Sequence, residues 1–162
     1  MSILWVEAYL RNDVSKAWWS KGIKFECQGS GQCCLSRGEY GFVFLTREDR
    51  KRMADHLELG IREFTKTYCD KTQGYHHLKE EKNRDNCTFL DGKKCGIYEA
   101  RPTQCRTWPF WPEVMNAKTW NKEVKGFCPG VGKGRLISAE EISKNLNEQK
   151  KSESALHRER KL

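Results

Sequence analysis

The chain has 162 residues, a net charge of +8 and 32% charged residues, a length that suits one domain. Val, Ile, Leu and Phe together supply about 19% of it, a level at which a highly charged chain is suspected of disorder. Six Trp and eight Cys argue against that, because aromatics bury large areas and a bound metal can substitute for missing core.

No run is long enough to span a membrane. Met1 to Arg11 lacks a basic region followed by a long apolar run, and Glu7 interrupts it, so no secretion signal is expected. The expected compartment is the cytoplasm, where stable disulfides are rare. The positive charge is diffuse, and part of it lies after Gln149 in Lys150, Lys151, Arg158, Arg160 and Lys161. It reads as a solvated face rather than a nucleic-acid patch.

In chain order, Met1–Trp19 is expected as an amphipathic helix, with Trp5, Tyr9 and Leu10 partly at helical spacing. Phe25–Gly38, rich in glycine and cysteine, is expected to be irregular. Glu39–Leu45 reads as a strand. Thr46 with Asp49 signals the cap of a helix from Arg47 to about Leu57. A second helix over Ile61–Cys69 turns Ile61, Phe64, Thr65 and Tyr68 inward. Asp70–Asp85 is polar and expected as loop. Cys87–Tyr98 reads as a short hairpin around Asp91-Gly92. Pro102 opens a short helix through Arg106, which Pro109 and Pro112 end. Trp120–Gly134 is expected to be mostly loop. Ser138 and Glu141 form a capping box for a last helix, Ala139 to about Asn147.

The cysteines are Cys27, Cys33, Cys34, Cys69, Cys87, Cys95, Cys105 and Cys128. Cys33 and Cys34 are adjacent, and neighbouring cysteines bond to each other only with strain. Eight cysteines in one polar chain exceed what packing requires, although a cysteine can also act as a small apolar residue. Thiolates are soft ligands that suit zinc, Cu(I) and iron–sulfur clusters. Metal ligation is therefore preferred over disulfides and inert packing.

The stretch Phe25-Glu26-Cys27-Gln28-Gly29-Ser30-Gly31-Gln32-Cys33-Cys34 resembles the opening motif of the YkgJ-type, or CxxCxxCC, cysteine-cluster family. Cys87-Thr88-Phe89-Leu90 resembles its next segment, and Cys95-Gly96-Ile97-Tyr98-Glu99-Ala100-Arg101-Pro102-Thr103-Gln104-Cys105-Arg106 its most specific signature. Cys128-Pro129-Gly130 fits its close. The resemblance covers about 25–134 and implies zinc or iron chelation; some flagellin lysine methylases resemble the same family, which implies iron–sulfur chemistry in part of it. The family pattern has a cysteine where this chain has Ser30. Cys69 is extra, and we expect it to take the vacant ligand place.

All eight cysteines are thus candidate ligands of an iron–sulfur cluster or zinc. Ser30 breaks the only C-x₂-C knuckle that structural zinc favours, and Cys128 before Pro129 resembles a ferredoxin-type ligand followed by proline, so the cluster is slightly preferred. Arg101 and Arg106 flank Cys105, where a positive charge would offset thiolates; Arg101 is the candidate cofactor-binding residue, with a surface or packing role beside Pro102 as its alternative, and for Arg106 the surface role is favoured. Trp108, Phe110, Trp111 and Trp120 fit core packing better than base stacking. His76-His77 are expected in a solvated loop rather than on a metal.

The expected fold is a small, mainly helical α+β single domain with a short hairpin, organised around a cysteine metal site. Its expected parts are an N-terminal helix packing on the core (1–24), the cysteine-cluster domain (25–149) and a charged, frayed tail (150–162). The expected role is structural, carrier or redox, with metal as the partner. An enzyme using the metal for methyl transfer or redox chemistry ranks second, because no acid–base pair stands out, and a basic nucleic-acid-binding module ranks third.

Overall fold

A computed structural model describes residues 14–34, 42–80 and 86–161. In chain order the elements are β1 (Ile23–Phe25), α1 (Arg47–His56), α2 (Ile61–Tyr68), β2 (Cys69–Thr72), β3 (Tyr75–Leu78), β4 (Leu90–Asp91), β5 (Lys94–Cys95), α3 (Thr103–Thr107), α4 (Ala117–Thr119), β6 (Val131–Ile137) and α5 (Ala139–Glu159). Tight 3₁₀ turns cover Gln32–Cys34 and Tyr98–Ala100, and a π-turn follows α4 over Trp120–Val124. Helices with short antiparallel strand pairs make this an α+β arrangement. The chain divides into two units, one of Met1–Gln28 with Pro109–Asn147 and one of Gly29–Trp108 with Glu148–Leu162. Among the described residues, no helix is long and apolar enough to cross a membrane.

In the first unit, most of the helix expected over Met1–Trp19 lies outside the described residues. From Val14 onward the chain makes successive turns, closed by bonds such as Ser20 N–H to the Ala17 carbonyl at 2.9 Å. β1 pairs with β6 through Ile23↔Ile137 and Lys24↔Leu136, then shifts register to Phe25↔Val131. Residues 132–135 bulge out between those pairs. Gly132 (φ 81°) and Gly134 (φ 64°) make the bulge possible, since glycine enters the left-handed region without a Cβ penalty. The stretch Trp120–Gly134, expected to be mostly loop, keeps turns over 125–130 but begins as a π-turn and ends in the first part of β6. Its glycines look like loop punctuation but shape a bulge. The interior is aromatic: Phe110 and Trp120 stack at 6.0 Å, with Phe25 edge-on to Phe110 at 5.8 Å and Trp18 tilted against Trp120 at 5.4 Å.

In the second unit the core is Leu45, Met53, Ala54, Phe64, Cys69, Leu78 and Ile97. The Thr46–Asp49 capping box forms as expected and opens α1. α2 buries Phe64, with Ile61, Thr65 and Tyr68 half-buried on the same side. Part of the strand expected over Glu39–Leu45 lies outside the described residues; Phe44 bridges to His77, and Leu78 N–H donates to the Val43 carbonyl at 3.0 Å. Asp70–Asp85, expected as loop, contains the β2/β3 hairpin instead, in the register Cys69↔Leu78 to Thr72↔Tyr75. Gln73 (φ 51°) and Gly74 (φ 89°) make its turn, a sequence weaker than the Asn-Gly that signals such turns.

The last helix begins at its capping box, where Glu141 N–H donates to Ser138 Oγ at 3.2 Å and Ser138 N–H to Glu141 Oε2 at 3.0 Å. It continues far past Asn147, so the tail expected to fray is helical to Glu159. Polar contacts help to hold this end. Gln149 Oε1 accepts from Thr107 Oγ1 at 3.0 Å, and the Glu159 carboxylate accepts the Arg47 N–H at 2.8 Å, capping α1 from outside. A carboxylate at a helix N-terminus is favourable there, and no hydrophobic period announces it.

Candidate metal centre

None of the eight cysteines is joined in a disulfide. Cys33 and Cys34 sit on the Gln32–Cys34 turn with sulfurs 3.9 Å apart. That turn lies on the β4/β5 hairpin. The Cys34 carbonyl accepts the Cys87 N–H at 2.6 Å, Leu90 N–H donates to the Cys87 carbonyl at 2.9 Å, and Cys95 stands opposite Leu90 in the ladder. Gly31 (φ 70°) permits the approach, because a Cβ there would come within 3.1 Å of the Lys93 carbonyl oxygen and 3.2 Å of the Leu90 side chain. The hairpin reverses with Gly92 at φ 59°, in the position a type II′ turn reserves for glycine.

The electrostatics agree with this placement. The Cys34 thiol is held far above the usual thiol range. Its hydrogen bond with Cys33 contributes most, then burial, then the negative charge that Cys33, Cys87 and Cys95 would carry as thiolates. Four thiols therefore share one neighbourhood in which they cannot all ionise unaided. Soft divalent metals and iron–sulfur clusters suit such a donor set. Among the described residues, no three Cys, His, Asp or Glu side chains already stand in metal-binding geometry. The α+β part of the expected fold is observed, and its organisation around a cysteine metal site is a matter for proposal. Drawing four sulfurs to one point costs thiolate repulsion that only a cation offsets.

The other cysteines lie elsewhere. Cys69 opens β2 inside the aliphatic core, 6% exposed, and burial pushes its thiol up to about 11 against the opposing pull of Arg50 and Lys79. Cys27 and Cys128 belong to the first unit. Glu26 N–H donates to the Gly130 carbonyl at 3.2 Å, which carries both cysteines to the same end of the β1/β6 ladder. Cys105 is half-buried in the middle of α3.

α3 has only five residues, too few to persist alone, and long-range bonds fix it. Asp49, 1% exposed, divides its two carboxylate oxygens between two helices. Oδ2 accepts from Thr46 N–H at 3.1 Å and Thr46 Oγ1 at 2.8 Å. Oδ1 accepts from Thr103 N–H at 2.9 Å, Thr103 Oγ1 at 2.8 Å and the Arg52 guanidinium at 2.6 Å. Burial pushes the Asp49 carboxyl up, yet the bonds from Thr103 and Thr46 and the charge of Arg52 prevail and hold it low. Gln104 presents its side-chain amide to the backbone at Phe44 and Phe42, accepting at 3.0 Å and donating at 3.4 Å. The sequence shows Asp49 only as a cap; its second partner is 54 residues away.

Arg101 lies over the Tyr98 ring at 3.5 Å and donates through Nε to the Tyr98 carbonyl at 2.8 Å. Arg106 faces Glu148 at 3.7 Å and Thr103 Oγ1 at 3.4 Å. His77, expected in a solvated loop, is 3% exposed on β3 and stacks on Phe42 at 3.8 Å. Its Nδ1 donates to the Leu78 carbonyl at 2.8 Å and its Nε2 shares a hydrogen bond with Thr72 Oγ1 at 2.8 Å, so both ring nitrogens are engaged. His76 is half-buried beside it on β3.

A family model described as "Putative zinc- or iron-chelating domain" matches residues 26–129. The chain belongs to the CxxCxxCC family. An uncharacterized protein of Methanocaldococcus jannaschii, MJ0661, is 33% identical over 123 residues, a match covering 71% of this chain and 63% of that relative. No solved structure matches. The matched stretch includes all eight cysteines, the four around the Cys33-Cys34 turn and the β4/β5 hairpin as well as Cys69.

Proposed function

We propose that the chain holds an iron–sulfur cluster or a zinc ion, in a structural, carrier or redox role, on a thiolate set centred on Cys33, Cys34, Cys87 and Cys95. The observation that carries this reading is the seating of the Cys33-Cys34 turn on the Cys87–Cys95 hairpin, through the 2.6 Å bond between their backbones. Cys105 is a further ligand from the same unit; Cys27 and Cys128 belong to the family motif but to the other unit, and are left outside this set. Cys69 belongs to the core rather than the ligand set, because it packs among Leu45, Met53 and Phe64. Arg101 is left out as well, its guanidinium being committed to Tyr98. The cluster keeps its slight preference over zinc, since the thiolates come from separated segments without a C-x₂-C knuckle. A bound group of either kind would supply the positive charge that lets neighbouring thiolates coexist.

Anaerobic purification with metal and acid-labile sulfide analysis tests this. Iron with sulfide selects the cluster, and colourless protein with zinc selects the ion. Cys34→Ser is expected to lose most of the metal, while Cys69→Ser retains it. Wild-type protein that carries neither metal and takes up no Co(II) would defeat the reading.

A further inference from the structure

We infer that Asp49 is a positioning residue for the Cys105 thiolate, with Gln104 as its second anchor; this rests on Cys105 being a ligand, as proposed above. α3 begins after Pro102 with no side-chain cap of its own. The cap comes instead from α1, as the Oδ1 atom of a carboxylate whose Oδ2 is already used to cap α1. A negative charge placed there also complements the positive end of a helix. Around Cys105, Thr103 is tied to Asp49, Gln104 to Phe44 and Thr107 to Gln149. Thr103, Gln104 and Thr107 thus tie α3 to its surroundings on both sides of the half-buried Cys105. Partners that orient a ligand from behind are as much a part of a metal site as the ligand. The division of labour within one carboxylate makes the role separable. In Asp49→Asn the side-chain NH₂ cannot accept, so either the Thr103 N–H of α3 or the Thr46 N–H of the capping box loses its acceptor while the volume is kept.

The test uses the full chain, Co(II) as probe, and thiolate-to-Co(II) absorption with competition titration as readouts. The variants are Asp49→Asn, Gln104→Ala, Cys105→Ser and the double variant Asp49→Asn/Cys105→Ser. Asp49→Asn is expected to weaken Co(II) binding about 10–100-fold and to alter the absorption as Cys105→Ser does. Gln104→Ala is expected to shift both readouts in the same direction. The double variant is expected to bind no worse than Cys105→Ser alone, because positioning has no value once the thiolate is gone. A merely structural role predicts additive losses, and additive losses overturn the inference. Should Asp49→Asn fail to fold, Thr103→Val removes one bond to Asp49 and is expected to show a smaller effect of the same sign; unchanged binding would overturn the inference. Cys105→Ser with undiminished Co(II) binding defeats the ligand assignment and the inference together. Weakened binding in Cys105→Ser beside normal binding in Asp49→Asn defeats the inference alone.

Discussion

The two units hold their chains in different ways. The first is closed by stacked rings, Trp18, Trp120, Phe110 and Phe25, over a two-stranded ladder. The second has an aliphatic core around Phe64 and Met53, but beside it lies a hairpin of two-residue strands carrying thiols where apolar side chains would otherwise pack. Aromatic burial is self-sufficient, whereas a cluster of thiols repels itself on ionising. Stability in the first unit thus rests on buried area, and the proposed metal would give the hairpin of the second a different source of it.

Metal removal is the largest lever on this contrast. A structural metal contributes on the order of 10 kcal/mol of folding free energy, so chelation should release the Gln32–Cys34 turn and the β4/β5 hairpin. Hydrogen exchange of the amides of Cys34, Cys87, Leu90 and Gly96 should speed up on chelation, while those of the β1/β6 ladder stay protected. Amides of both regions opening in step would show that the contrast is wrong.

Much of this was legible in the sequence. Thr46 with Asp49 and Ser138 with Glu141 named their helix starts, because a capping box is local chemistry written within four residues. Asp91-Gly92 placed the hairpin that bears Cys87 and Cys95. What escaped was non-local. The end of α5 is held by Gln149 and Glu159, whose partners Thr107 and Arg47 lie 42 and 112 residues away. The β2/β3 hairpin hid behind polar residues, since His77 is buried by stacking on Phe42 rather than by hydrophobic alternation. The cysteine motif identified the candidate ligands as a set, but not that Cys69 is buried within the core while Cys87 and Cys95 pack only partly buried against it.

The reverse lever is Trp120→Ala. Trp120 is 3% exposed and touches both Trp18 and Phe110, and truncating such a residue costs about 3–5 kcal/mol. Urea unfolding should show that loss, while metal content per folded molecule stays at the wild-type level. A Trp120→Ala protein that folds normally but loses its metal would mean that the rings serve the metal site, contrary to the division drawn above.

Acid offers a smaller and more selective probe. Asp49 is held below its unfolded value of about 3.9, so its contribution is fully present above that pH and is lost as pH falls through the lower, folded value. Wild-type protein should therefore lose more urea stability between pH 5 and pH 3 than Asp49→Asn does. Glu141 is also pulled down, to about 2, chiefly by its hydrogen bonds with Arg135 and Ser138. That pair lies on the open surface, where salt screens it, so Glu141→Gln should change the acid slope less, and least in high salt. Equal slopes for wild type and Asp49→Asn would mean that the buried carboxylate is not the group the acid attacks.

The smallest effect separates the two hairpins of the second unit. β4/β5 has glycine at the turn position with positive φ, whereas β2/β3 places Gln73 at φ 51° ahead of Gly74. A side chain other than Asn or Gly in that conformation is disfavoured by roughly 1–2 kcal/mol, and Asn-Gly is the favoured pair for a turn with positive φ at both central residues. Gln73→Asn should recover a part of that, about 0.5 kcal/mol, seen as a small rise in the urea midpoint with an unchanged slope. Because β3 carries His77 and Leu78 into the core, the gain should appear in global stability and not merely at the turn. A drop in stability would show that Gln73 is held by contacts worth more than its backbone strain.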